Sequence, residues 1–178
     1  MENILKVIPI IDKISEVQHP GKKTLQKIIY LMERKGINLG FDYSIHYYGP
    51  YSSNLDQAIH RLEMQGAIKI VTDGMSHRIH TTDMANLLLG EEESKPFNAD
   101  ENEIVEDVIE TFGKWSGYDL ELIATTDYVA GQIFRDGQLK NKDEVIAGVK
   151  RIKGDKFPPE KIQEAVENLE SMGLLVTK

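Results

Sequence analysis

Leu55-Asp-Gln-Ala58-Ile-His-Arg-Leu62-Glu63-Met-Gln-Gly66-Ala-Ile68 is the stretch that decides the fold. Leu55, Ala58, Ile59 and Leu62 recur at helical spacing, so one face of a helix is apolar. Gly66 stands where a helix ends in a residue of positive φ, and an apolar, strand-like run begins at Ile68. The pattern returns 107 positions later as Ile162-Gln-Glu-Ala165-Val-Glu-Asn-Leu169-Glu170-Ser-Met-Gly173-Leu-Leu175, with four identities in fourteen aligned positions. Two readings stay open: a duplicated unit, or two unrelated helix ends with a common cap.

Working outward from Leu55, Ser52 or Ser53 can cap the helix, with Asp56 placed to answer Ser53 as a capping-box acid. Before it, Phe41-Asp-Tyr43-Ser-Ile45-His-Tyr47 alternates at period two, which predicts a half-buried strand with Phe41, Tyr43, Ile45 and Tyr47 inward, ended by Gly49-Pro50. After it, Ile68-Lys-Ile70-Val71, the turn Thr72-Asp73-Gly74 and Arg78-Ile79-His80 predict a β-hairpin. Helix, glycine and hairpin is the order in which a winged-helix unit passes from its reader helix into its wing. Thr82 can cap a short helix through Leu87-Leu88-Leu89.

Further out, Ile4, Val7, Ile8, Ile11 and Ile14 form a helical stripe, which Pro9 breaks or kinks unless it lies in a first turn. A turn at His19-Pro20-Gly21 precedes Lys22–Lys35, where Leu25, Ile28, Ile29 and Met32 predict an amphipathic helix. Asp100 with Glu103, and Asn141 with Glu144, have capping-box spacing. Asp119–Gln132, apolar on more than one side, predicts the central helix of the second half, and Phe157-Pro158-Pro159 opens the last helix. The expected fold is α+β and mostly α. A winged-helix-like domain with a hairpin wing spans 1–90, a charged connector 91–99, and a helical domain, open to reading as a degenerate winged-helix repeat, 100–178.

The 178 residues carry no cysteine, which removes disulfides, thiol nucleophiles and thiolate zinc sites together. No apolar run approaches the ~18 residues of a membrane span, and Glu2, Lys6, Asp12, Lys13 and Glu16 interrupt the first segment as a signal peptide would not. The expected location is cytoplasmic, without membrane contact. Net charge is −8 and uneven: residues 1–90 hold ten Lys or Arg against nine Asp or Glu, residues 91–178 eleven against twenty. An acidic second half is poorly suited to neutralising phosphates.

Candidate contact residues fall in three groups. Lys23, Lys27, Tyr30 and Arg34 share one face of the 22–35 helix, opposite Leu25 and Met32, as basic groups with an interleaved aromatic. Tyr48 and Tyr51 flank Gly49-Pro50 in a turn, where exposed aromatics suit a protein contact. Asn54, Gln57 and Arg61 on the reader helix, with Arg78 on the wing, are able to read base edges or hold phosphates. His77 and His80 sit three apart on a hairpin, so they face opposite sides and do not make a metal pair. No phosphate loop, nucleophile elbow or dinucleotide fingerprint is present, so neither catalytic residues nor a cofactor or metal is expected.

At Lys23-Thr-Leu25-Gln26-Lys27-Ile-Ile-Tyr30-Leu31, then Tyr48-Gly49-Pro50-Tyr51-Ser52 and Leu55, the chain resembles the YwgA-like proteins of bacteria and archaea, with the likeness continuing through Leu120-Glu-Leu122-Ile-Ala124. More distantly, over 1–90, it is similar to the Panacea domain of antitoxins and of a SocA-type proteolytic adaptor. It departs from that pattern after Gly-Pro, where Tyr51-Ser52-Ser53 replaces an apolar residue and proline. The resemblance implies a helical, non-enzymatic domain that binds macromolecules through the Lys27/Tyr30 and Gly49-Pro50 regions. The expected function is a regulatory or adaptor module of winged-helix type binding DNA or a protein partner, a homodimer being open. The alternative is an antitoxin-like protein that neutralises a toxin by direct binding.

Overall fold

The structure, a computed structural model, describes residues 2–74, 76–90, 96–135 and 142–175, apart from the side chains of Glu2, Phe134 and Arg135. It is α+β. The elements run α1 (Glu2–Leu5), α2 (Val7–Ser15), α3 (Lys22–Lys35), β1 (Ser44–His46), β2 (Gly49–Tyr51), α4 (Ser53–Met64), β3 (Ile68–Asp73), β4 (Ser76–Thr81), α5 (Asp83–Leu89), α6 (Ala99–Phe112), α7 (Gly117–Arg135), α8 (Lys142–Lys153) and α9 (Pro159–Ser171). Both pairs of strands are antiparallel hairpins.

The chain divides into two compact units. The first holds residues 1–43 and 52–115, and the second residues 44–51 and 116–178, so the hairpin β1–β2 leaves the chain of the first unit to belong to the second. Most of the expected connector, residues 91–95, and the Asn141 cap lie outside the described residues.

In the first unit α3 is central, buried at every position from Leu25 to Met32. It packs on α6 through the stripe Val105, Val108, Ile109 and Phe112, while α2 contributes Val7, Ile8, Ile10, Ile11 and Ile14 against β4 and α6. Pro9 lies in the first turn of α2, where its missing N–H costs no helical bond. Ser52, not Ser53, caps α4, its hydroxyl accepting from Leu55 N at 3.2 Å, and Asp56 pairs instead with Lys22 at 3.5 Å. Thr82 caps α5 as expected. The cap of α6 is Asn98 with Glu101, in a reciprocal box, rather than Asp100 with Glu103, so the helix begins two residues earlier than that spacing implies.

The echo between 55–68 and 162–175 has a structural counterpart. Gly66 and Gly173 both take positive φ, and in each the following N–H bonds the carbonyl five residues back: Ala67 to Leu62 at 2.9 Å and Leu174 to Leu169 at 3.0 Å. The end of α3 does the same, Ile37 N reaching Met32 O at 3.2 Å past Gly36. A helix outside the repeated stretch thus makes the same cap, so the cap needs only an apolar helix end followed by glycine.

In the second unit α7 plays the part of α3. All positions from Leu120 to Asp127 are buried, and α8, α9 and β2 pack around it. Ser116 starts it, donating to Asp119 Oδ2 at 2.6 Å and accepting from Asp119 N at 3.1 Å. The last helix has Pro159 in its first turn, as the sequence predicts.

Candidate interaction site

The period-two run 41–47 does not form one strand. Only Ser44–His46 is extended and paired, and Gly49-Pro50 does not end the strand but forms its partner, with Ile45 opposite Pro50 and His46 opposite Gly49. Tyr47 and Tyr48 are therefore the two turn residues. Tyr47, expected inward, is 80% exposed. Alternation carries no information past the point where the chain reverses, and Gly49 with φ of 90° lets it reverse there.

Three side chains of α3 hold the roots of this hairpin, all within the first unit. Gln26 Nε2 donates to Ser52 O and Ser52 N donates to Gln26 Oε1, each at 2.9 Å, so a buried side-chain amide mimics a strand pair where the hairpin returns. Glu33 Oε1 accepts from Leu39 N at 3.0 Å and Phe41 N at 3.2 Å where it departs. Tyr30 meets Tyr43 edge to face, ring centres 5.0 Å apart. Among the described residues, Glu33 Oε2 and the Tyr43 hydroxyl are buried and neither makes a hydrogen bond of good geometry. Burial pushes the Glu33 carboxyl up against the pull of the Phe41 and Leu39 amides. Burial first, and the Glu33 charge second, push the Tyr43 hydroxyl far above its ordinary value.

Within the second unit the hairpin tip rests on a charged cluster. Glu121 of α7 is 5% exposed. Its Oε1 receives Lys153 Nζ at 2.9 Å, and Lys156 Nζ lies 2.8 Å from both carboxylate oxygens. Lys153 also donates to the carbonyl of Tyr47, tying the turn to the cluster. Lys156 Nζ lies 5.9 Å from the ring centre of Tyr47, 5.4 Å from that of Tyr48 and 5.7 Å from that of Phe157, within cation–π range of all three. Tyr118 stacks edge-on against Phe157 at 4.9 Å and donates its hydroxyl to Lys156 O at 3.2 Å. Tyr48 and Tyr118 are 43% and 42% exposed. The result is a surface of tyrosines around an ammonium whose charge is anchored below by Glu121.

A family model described as antitoxin SocA-like, Panacea domain, matches residues 25–127. The chain belongs to this family. No curated protein matches it. The matched residues of this Panacea-type chain begin at Leu25, run through α3, the hairpin and α4, and reach into α7. They include Gln26, Tyr30, Glu33, Tyr43 and Ser52 at the hairpin roots and Glu121 beneath its tip.

The sequence candidates separate in this frame. On α3, Lys23 and Arg34 are exposed, but Lys27 is 3% and Tyr30 4% exposed, so the four do not form an open basic face. An amphipathic pattern predicts a solvated side only for a helix at the edge of a core, and α3 is at the centre of one. Tyr48 is exposed and Tyr51 half-buried, both on the hairpin, with ring centres of Tyr51 and His46 4.8 Å apart. Asn54, Gln57 and Arg61 are exposed on α4 and Arg78 is exposed on β4, in the other unit. Sequence reasoning missed Tyr47, Tyr118, Lys153 and Lys156. One signal for the cluster was available: Glu121 lies between Leu120 and Leu122 in a helix that is apolar on more than one side, and a buried acid needs a cation.

Proposed function

We propose that the chain is an antitoxin-like protein that neutralises a toxin by direct binding, without catalysis, and that the hairpin face of Tyr47, Tyr48 and Tyr118 around Lys156 makes the contact. What carries the reading is the exposure of Tyr47 and Tyr48 on the hairpin and of Tyr118 on α7, all within the family's matched region. Tyrosine supplies large, rigid, amphipathic contact area at low entropic cost and is enriched where proteins bind proteins. Burying Tyr47 alone would remove a ring that is 80% exposed from water.

Protein is favoured over DNA by charge. The unit that holds α4 and β3–β4 carries twelve Lys or Arg against eighteen Asp or Glu, a poor match to a phosphate backbone. Among the described residues no helix is long and apolar enough to cross a membrane.

The test is co-expression. Each small open reading frame beside the gene for this chain is induced alone and together with it. Growth arrest by one of them, relieved by the wild-type chain and not by Tyr47→Ala/Tyr48→Ala, supports the proposal. Arrest by none, or relief that ignores the double variant, counts against it.

A further inference from the structure

A second feature of the same unit, on α7 and α8, takes no part in the hairpin cluster. Between these helices runs an open cleft of about 420 Å³. Its floor is apolar, built from Val129 and Ile133 of α7 and Ala147 and Ile152 of α8, and Ile152 is 41% exposed. Gly148 brings the helices close, since a Cβ there would lie 2.6 Å from Val129 Cγ1. The cleft follows α8 for nine residues, from Glu144 to Ile152, or about 12 Å for eight steps of 1.5 Å.

Charge says what fits. Glu144 and Arg151, seven residues apart and so nearly on one line of the helix, mark the two ends of the cleft with opposite signs. An isolated helix is stabilised by acids in its first turn and bases in its last. Laid antiparallel to α8, such a helix would set its acidic start against Arg151 and its basic end against Glu144. Its apolar residues at i, i+4 and i+7 would meet the floor. We infer that this cleft seats an amphipathic helix of a protein partner, antiparallel to α8. The inference rests on the protein-binding reading above, but on a different face.

The probe is a synthetic 15-residue amphipathic helix with Leu at i, i+4 and i+7, Glu in the first turn and Lys in the last, titrated into the full isotope-labelled chain and followed by NMR. A second peptide has the two charged ends exchanged. The expected result is amide shifts confined to α7 and α8, with the first peptide binding on the order of tenfold more tightly and Glu144→Lys/Arg151→Glu inverting that preference. Both residues are exposed, so the double variant keeps its fold, checked by circular dichroism. No binding at millimolar peptide, shifts elsewhere, or binding without charge preference would overturn the inference. The titration needs no toxin, so its failure leaves the co-expression test untouched, and a negative co-expression result leaves the titration standing.

Discussion

The side chain of Gln26 and the backbone of Ser52 bond each other in both directions, at 2.9 Å each way, in a region closed to water. Ser52 in turn caps α4. One glutamine on α3 thus fixes both the return of the hairpin and the start of the next helix.

Truncating Gln26 leaves the buried N–H of Ser52 unpaired, at about 1–3 kcal/mol, while the Ser52 carbonyl keeps its bond from Asp56 N at 3.1 Å. Gln26→Ala is expected to lower unfolding free energy by roughly 1–3 kcal/mol in urea titration. Gln26→Glu is expected to be worse than Gln26→Asn, because it sets a carboxylate against the Ser52 carbonyl. Equal stability of wild type and Gln26→Ala would contradict this.

Glu121 and Lys153 form a buried pair, with side chains 7% and 4% exposed. Removing Glu121 strands the buried Lys153, at about 3 kcal/mol or more, while removing Lys153 leaves Glu121 still bound by Lys156, and replacing both with apolar groups is far milder than losing Glu121 alone. Glu121→Leu should therefore destabilise strongly, Lys153→Met less, and the double variant should be more stable than Glu121→Leu alone. Additive losses in a double-mutant cycle would refute the coupling.

Glu33 gives a pH signature. Its carboxyl is raised in the fold by burial, so its contribution to stability is present below the ordinary value of 4.5 and is lost as pH rises through the folded value. Glu33→Gln carries no charge and lacks this term. Stability of the variant minus that of wild type should grow from pH 4 to pH 7, and a pH-independent difference would sink the assignment.

Gly148 is required by contact. Gly148→Ala places a methyl group 2.6 Å from Val129 Cγ1, and overpacking of this kind costs about 1–3 kcal/mol. A companion Val129→Ala change should recover part of the loss in thermal unfolding, and no recovery would mean that the clash is relieved elsewhere.

Much of the fold is legible in the sequence because local rules decide it. Leu55, Ala58, Ile59 and Leu62 with Gly66 mark α4 and its cap, Gly74 marks the turn of the β3–β4 hairpin although Thr72 and Asp73, expected in that turn, are paired in β3, and Pro159 marks α9. The contact face is less legible because it depends on what lies around each helix. The 3.6-residue period of α3 places Lys27 and Tyr30 opposite Leu25, but says nothing of a second layer that buries them too. Tyr47 reads as strand until the pairing of Ile45 with Pro50 shows where the chain turns. Lys153 and Lys156 lie more than thirty residues from Glu121, beyond any local pattern.

The most direct measurement is calorimetric titration of the full chain with the toxin identified by co-expression, beside Tyr47→Ala and Tyr48→Ala. The account predicts a defined complex, with each variant folded as stably as wild type within about 0.5 kcal/mol and bound roughly 30-fold more weakly, the loss expected of a 2 kcal/mol contact. Unchanged affinity in both variants would contradict the hairpin face as the toxin contact, and absence of binding by the wild-type chain would contradict the antitoxin reading itself.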